Sequence, residues 1–152
     1  MKIYIGTDHA GFDYKEAIKK SLVEAGYEVE DKGAFKYDEN DDYPDFIYPV
    51  AQAVSEDPEN RRGIVLGGSG QGEAMVANKV KGIRAVIGFS EWAVVQSRDH
   101  NDANVLSLGS RTMSQKEAVR LASLWLQTSF SNKDRHARRI EKIKSLENKL
   151  FK

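Results

Sequence analysis

The chain has 152 residues, which is enough for one domain with a full core but too few for a separate cofactor-binding domain. Lys and Arg together number 23, as do Asp and Glu, so no global field would attract nucleic acid or an anionic membrane. The absence of cysteine excludes disulfides, thiolate metal ligands and thiol nucleophiles, and no apolar run reaches the length of a signal-peptide core or membrane span, so we expect a cytoplasmic protein.

Short apolar runs alternate with longer segments of helical period along the chain. We predict strands at Ile3–Gly6, Tyr27–Asp31, Gly63–Leu66, Arg84–Gly88 and Val105–Leu108. Helices are expected between the first two strands, from about 44 to 58, and at 72–80, 91–99 and 114–129. Such alternation is typical of βαβ units, so we predict an α/β fold: a three-layer α/β/α sandwich around a five-stranded parallel sheet, with residues 1–152 forming a single domain.

A final helix is predicted at 134–150. It is strongly charged, yet Ile140, Ile143, Leu146 and Leu150 form an apolar stripe along it. The stripe could pack on its own domain or on a second copy. We favour a dimer, because the helix follows a sheet that is already complete.

The first strand ends in Asp8 and His9, which places a carboxylate and an imidazole where parallel sheets bind ligands. A helix-capping Asp next to a surface His is the alternative interpretation. The segment 33–43 is predicted to be a polar loop, acidic at 38–42.

The third strand runs into a glycine-rich segment, Gly67-Gly68-Ser69-Gly70-Gln71-Gly72-Glu73, that leads into a helix. Glycines let backbone N–H groups approach an anion, and the helix N-terminus adds partial positive charge. The segment lacks the Gly-Lys-Ser/Thr of a P-loop. With Glu73 as base, the N–H groups could stabilise the oxyanion formed when a proton is removed next to a carbonyl. A tight turn, with an acid that merely favours the helix start, is the alternative.

Three further segments carry polar groups. A second histidine, His100, stands with Asn101 in a loop that we expect to lie beside the site, although this loop could also be only a turn. Arg111 follows the fifth strand. Arg135 and Arg139 lie one turn apart on the last helix, where both could reach one phosphate or simply form a solvated basic face.

These segments together resemble the ribose-5-phosphate isomerase type B family, which includes allose- and galactose-6-phosphate isomerases. The resemblance is collinear from about residue 2 to 145. It rests on Asp8-His9-Ala10-Gly11, Asp42-Tyr43-Pro44, the glycine-rich segment with Glu73, Ala77-Asn78-Lys79, His100-Asn101-Asp102-Ala103-Asn104-Val105-Leu106, Gly109-Ser110-Arg111 and Arg135-His136. It implies a metal-free, Rossmann-like fold without cofactor, assembled as a homodimer or sometimes a tetramer with active sites shared between subunits.

The resemblance also implies residue roles. Many members carry a cysteine base where this chain has Gly67, whereas a second branch has glycine there and a glutamate six residues later, which Glu73 matches. By this match, Glu73 would be the catalytic base, His100 would assist ring opening, and Ser69 would be a catalytic residue that helps ring opening or orients the substrate. The implied substrate-binding residues are Asp8, His9, Tyr43, Gly68, Gly70, Gln71, Gly72, Asn101, Arg111, Arg135 and Arg139, of which His9 and the three arginines would hold the phosphate, with the basic helix coming from the other subunit.

The expected activity is the interconversion of ribose 5-phosphate and ribulose 5-phosphate through a cis-enediolate, a step of the pentose phosphate pathway. Three alternatives stay open: isomerisation of a 6-phosphohexose such as allose or galactose 6-phosphate, a non-catalytic phosphate-binding module, and a non-catalytic subunit of a hetero-oligomeric isomerase.

Overall fold

A computed structural model describes residues 1–151 and contains one five-stranded parallel sheet in the order β2-β1-β3-β5-β4. The strands are β1 (Lys2–Thr7), β2 (Glu28–Asp31), β3 (Arg61–Gly67), β4 (Ala85–Ile87) and β5 (Val105–Gly109). All four neighbouring pairs are parallel. The prediction of a five-stranded parallel sheet is confirmed.

Six α-helices surround the sheet: α1 (Phe12–Glu24), α2 (Pro44–Ser55), α3 (Gln71–Ala77), α4 (Glu91–Asp99), α5 (Gln115–Gln127) and α6 (Asp134–Leu150). A single turn of 3-10 helix, His9–Gly11, precedes α1. The apolar sides of α1, α4 and α5 form one core cluster with Ile3, Ile5, Leu66 and Leu108 of the sheet. Helices α2 and α3 form a second core cluster with Tyr4 and Val65. The predicted three-layer sandwich is therefore confirmed.

The carboxyl ends of the three central strands lie side by side. Thr7 pairs with Leu66, and Gly67 pairs with Gly109. The loops that leave β1, β3 and β5 consequently meet at one edge, which we call the carboxyl edge. Strand order reverses between β1 and β3, and ligands of open parallel sheets bind at such a switch point.

Helix α3 ends at Ala77, three residues earlier than predicted. The side-chain amide of Asn78 donates to the carbonyl of Ala85 and accepts from the Ala85 N–H, at 3.0 and 2.8 Å. Asn78 thus binds the backbone at the start of β4 instead of continuing the helix.

Helix α6 leaves most of its apolar stripe uncovered. Ile140 is buried, but Ile143, Leu146 and Leu150 are 43%, 57% and 74% exposed. The prediction that this helix packs on a second copy is compatible with that exposure. Among residues 1–151, no helix is both long and apolar enough to cross a membrane.

Candidate active site

A cavity of about 400 Å³ opens at the carboxyl edge of the sheet. It is lined by Asp8, His9, Ala10, Tyr43, Gly68, Ser69, Gly72, Glu73, Arg111 and Thr112. The fold therefore brings together eight of the residues predicted from the sequence. A larger groove of about 830 Å³ along α1 lies among surface charges such as Lys20 and Glu24, away from the strand ends.

Glu73, in the first turn of α3, lies at the bottom of this cavity. The residue is only 4% exposed, and its Oε2 is buried without a hydrogen-bond partner among the described residues. Burial raises the pKa of the Glu73 carboxyl, and the nearby charge of Asp8 adds to the rise, while backbone N–H groups of Glu73 and Gly70 oppose it. An unsatisfied carboxylate of raised pKa is well suited to accept a proton.

Gly67 explains how that carboxylate fits. A Cβ atom at position 67 would overlap the Glu73 carboxylate, which occupies the space where a side chain would begin. The glutamate at 73 can therefore occupy this position only because residue 67 is a glycine. Any larger residue at 67 would displace the carboxylate from its position.

Two more glycines make room for the walls of the cavity. A Cβ at Gly68 would lie 2.9 Å from Nη1 of Arg111, and one at Gly72 would lie 2.7 Å from Cζ of Tyr43. The glycine-rich segment thus admits Arg111 and Tyr43 over its backbone as well as keeping that backbone accessible. Gly70, at φ 78°, supplies the left-handed turn into α3.

Asp8 and Ser69 also have local structural roles. Asp8 Oδ1 accepts from the N–H of Ala10 at 3.0 Å and caps the 3-10 turn. Burial raises the pKa of the Asp8 carboxyl, which is 7% exposed. Ser69 Oγ accepts from the N–H of Gln71 at 3.2 Å. Both side chains still line the cavity, so their capping roles do not exclude a role in substrate binding.

His9 binds an acid that the sequence did not single out. Asp41 Oδ1 accepts from Nδ1 of His9 at 2.6 Å and from its backbone N–H at 3.0 Å. Asp8, His9 and Asp41 have ligand atoms within 4.8 Å of one another, a grouping that resembles a metal site. The contact between Asp41 and His9 accounts for the proximity of these groups without a metal ion. The only signals for Asp41 were the predicted acidic stretch 38–42 and the Asp42-Tyr43-Pro44 motif that directly follows it.

Two predicted binding residues of the glycine-rich segment lie outside the cavity lining. Gly70 is buried in the turn beneath it. Gln71 lines a neighbouring groove together with Met75 and Phe89. The side chain of Gln71 therefore faces a different part of the surface from Glu73.

Within a single chain, the His100 loop, which was predicted to lie beside the site, lies at the opposite edge of the sheet from the cavity. His100 follows α4 and precedes β5, so it lies at the amino ends of the strands, whereas Arg111 follows β5 at the carboxyl edge. A five-residue strand spans roughly 16 Å, and that length separates the two edges. The loop is fixed there by Arg84, which donates to the carbonyls of Asn101 and Asp102.

Helix α6 brings more of the predicted residues to this second location. The rings of His100 and His136 lie 4.2 Å apart, and Nε of Arg135 donates to Nε2 of His136 at 3.3 Å. Ser131 ties the start of this segment to the loop, because its N–H donates to the carbonyl of Asp99. We call His100, Asn101, Arg135, His136 and Arg139 the amino-edge cluster. Apart from buried His136, its residues reach solvent.

Known proteins resemble this chain over most of its length. The model of the family described as Ribose/Galactose Isomerase matches residues 3–143. Ribose-5-phosphate isomerase B of Mycolicibacterium paratuberculosis is 41% identical over 141 residues, covering 93% of this chain and 88% of the relative.

Solved structures also superpose on this chain over nearly its whole length. Ribose-5-phosphate isomerase B from Mycoplasma genitalium, with bound ribulose-5-phosphate, superposes with a TM-score of 0.94 at 39% identity, covering 97% of this chain and 96% of the other. The Clostridium thermocellum enzyme gives 0.92 at 44% identity, with 98% and 99% covered. The chain therefore belongs to the ribose/galactose isomerase family, within which its relatives are ribose-5-phosphate isomerases of type B.

Proposed function

We propose that this chain catalyses the interconversion of ribose 5-phosphate and ribulose 5-phosphate through a cis-enediolate. The observation that carries the proposal is the buried Glu73 carboxylate, with an unpartnered oxygen and a raised pKa, at the bottom of the carboxyl-edge cavity. A structural relative at 39% identity holds ribulose-5-phosphate. The reaction moves a proton between two carbons and needs no redox cofactor.

In the proposed mechanism Glu73 takes the proton from C2 of the open-chain aldose. The electrons of the broken C–H bond form the C1–C2 double bond, and the carbonyl oxygen gains negative charge. Backbone N–H groups of the segment 68–72 stabilise that charge, since the first N–H groups of a helix lack partners within it. The hydroxyl proton of O2 passes to O1, and return of the proton from Glu73 to C1 then leaves the carbonyl at C2 and gives the ketose.

The elevated pKa of Glu73 matters for this step. A proton next to a carbonyl is weakly acidic, so a stronger base removes it faster, provided that the base is ionised at the working pH. Burial supplies the added basicity without a second catalytic group. Asp8, Ser69 and Tyr43 line the same cavity and would orient the sugar hydroxyls.

The groups for ring opening and phosphate binding are divided between two places, and we propose that a homodimer reunites them. His9 and Arg111 line the carboxyl-edge cavity, while His100, Arg135 and Arg139 lie at the amino edge. In a dimer whose partner presents its amino-edge cluster to this cavity, His100 of the partner subunit opens the sugar ring and Asn101 of the partner subunit holds hydroxyls. Arg135 and Arg139 of the partner subunit then bind the phosphate with charge-assisted hydrogen bonds.

Exposed apolar side chains support such an assembly. Met75, Phe89 and Trp92 are 65%, 71% and 71% exposed around the edge strand β4. Strand β4 pairs only with β5, so one of its edges is also open. Clustered exposed aromatic and methionine side chains are typical of protein–protein interfaces. A tetramer built from two such dimers is an extension of the same proposal.

A substrate panel tests the function. The purified homomer should isomerise ribose 5-phosphate with the highest kcat/KM among ribose 5-, allose 6- and galactose 6-phosphates. A preference for a hexose phosphate would reassign the substrate within the same chemistry. Absence of activity on all three, from a correctly folded protein that binds inorganic phosphate, would contradict the enzyme assignment and favour a non-catalytic module or subunit. Location in the cytoplasm and absence of nucleic-acid partners remain predictions.

A further inference from the structure

The ion pair between His9 and Asp41 joins the cavity to a loop outside it. Asp41 belongs to the segment between β2 and α2, and its side chain is only 9% exposed. One oxygen, Oδ1, receives both the backbone N–H and the ring Nδ1 of His9. The other, Oδ2, is buried and has no hydrogen-bond partner in the described chain. A carboxylate held in this way is directed at one imidazole.

This contact fixes the state of the His9 ring. An ionised carboxylate only accepts, so Nδ1 must carry a proton. Nε2 is then the one polar ring atom left for an anion in the cavity that His9 lines. Nε2 can donate only if the ring is an imidazolium, because a neutral ring with Nδ1–H has a bare Nε2.

The charges around His9 favour the imidazolium. The hydrogen bond that His9 donates to Asp41 is the largest cause of a raised His9 pKa, and the negative charge of Asp8 acts in the same direction, whereas partial burial and Arg111 oppose it. The ring of Tyr37 meets His9 edge to face at 6.1 Å. His9 and Arg111 are then two cations at the rim of a cavity whose base carries Asp8 and Glu73.

We propose that Asp41 is a positioning residue that keeps His9 in the imidazolium form, so that Nε2–H donates to the substrate phosphate. The proposal rests on the proposed function only in naming the phosphate of a sugar as the anion. Asp41 of the loop 33–43 then has a role in substrate binding. The phosphate is bound by Arg111, which is always charged, and by His9, whose charge depends on Asp41.

A purely structural role for Asp41 would be to hold the loop in place. The first part of this loop is already fixed without it: the N–H of Thr7 donates to the carbonyl of Gly33, and the N–H of Ala34 donates to that of Thr7. The ammonium of buried Lys15 binds both Asp31 and the carbonyl of Ala34. Replacement of Asp41 by asparagine keeps an oxygen for the His9 N–H while removing the charge, and so separates the two roles.

The test is Asp41→Asn, with Asp38→Asn as the matched control, because Asp38 lies in the same loop and its carboxylate binds only the N–H of Asn40. NMR titration of His9, assigned with His9→Gln, should show its pKa lowered by about one unit in Asp41→Asn and unchanged in the control. KM for ribose 5-phosphate should stay flat in the wild type from pH 6 upward past the ordinary pKa of histidine. In Asp41→Asn it should rise severalfold between about pH 6 and 8, with kcat little altered, because the cation is lost as pH rises.

The outcomes separate this proposal from the proposed function. An unchanged His9 pKa in Asp41→Asn would overturn the role of Asp41 even in an active enzyme. A lowered pKa, together with pH-dependent loss of inorganic phosphate binding, would support that role even if no sugar phosphate were isomerised. If Asp41→Asn does not fold, Asp41→Glu replaces it: the retained charge should keep the His9 pKa raised, and a pKa as low as that of histidine in the unfolded chain would refute the proposal.

Discussion

The carboxyl-edge cavity and the amino-edge cluster differ in how completely the chain builds them. The cavity has a base, a glycine-rich backbone and two cations, all positioned by the central strands. The cluster has a titratable ring, an amide and two arginines on a surface loop and a helix, with no cavity shared with Glu73. In the proposed mechanism, proton transfer is therefore assembled within one chain, whereas ring opening and much of the phosphate binding require a second copy.

The largest effect that the comparison predicts is on Glu73. Glu73→Gln should lower kcat by about a hundredfold to ten-thousandfold, with a modest change in KM, because an amide cannot accept the proton. Glu117→Gln is the matched control, since both glutamates are the third residue of a helix but Glu117 is on the surface and pairs with Arg120. Steady-state kinetics of both variants are the measurement. A near-wild-type kcat for Glu73→Gln would show that Glu73 is not the catalytic base.

The next effect concerns the volume shared by Gly67 and Glu73. Gly67→Ala should lower kcat by about a hundredfold, because the new methyl group displaces the carboxylate and small misplacements of a catalytic group are costly. In a Glu73→Ala background the same substitution should change the remaining activity and the melting temperature very little. Equal losses in both backgrounds would show that alanine at 67 disturbs something other than Glu73.

This pair shows what could be predicted from the sequence. Glycine at 67 with an acid at 73 led to Glu73 as the proposed base, and the periodicity of the apolar runs was enough to predict the sheet and its layers. The His100 loop directly precedes β5, and a loop before a parallel strand lies at the amino end of that strand, so the order of the elements alone places it away from the cavity of its own chain. Asp41 was missed because its contact with His9 spans 32 residues and follows no local pattern.

The division between the two regions predicts complementation. Chains carrying Glu73→Gln and chains carrying Arg135→Ala with Arg139→Ala should each be impaired, the second mainly in KM. After random exchange about half of the dimers are mixed and each has one intact site, so activity should recover to about a quarter of wild type. A His100→Asn chain should complement Glu73→Gln in the same way.

The control for complementation uses two lesions from the same region. Glu73 and Arg111 line one cavity, so a mixture of Glu73→Gln and Arg111→Ala chains leaves a lesion in every site and should not recover. Recovery in this control, or none in the test mixture once exchange is confirmed by mass spectrometry, would contradict a site divided between the two edges.

The smallest expected effect is in the pH dependence of kcat. Glu73 must be ionised to act, so kcat should fall tenfold per unit as pH drops below its pKa, which burial and Asp8 raise above the ordinary value of 4.5.

Asp8→Asn removes a negative charge beside the carboxylate while leaving an oxygen to cap the N–H of Ala10. Ionisation of Glu73 then becomes easier, and the acid limb should move to lower pH by less than about one unit, because burial remains the larger cause. Asp13→Asn, on the exposed first turn of α1, should leave the limb in place. A limb that does not move to lower pH in Asp8→Asn would contradict the assignment of the limb to Glu73.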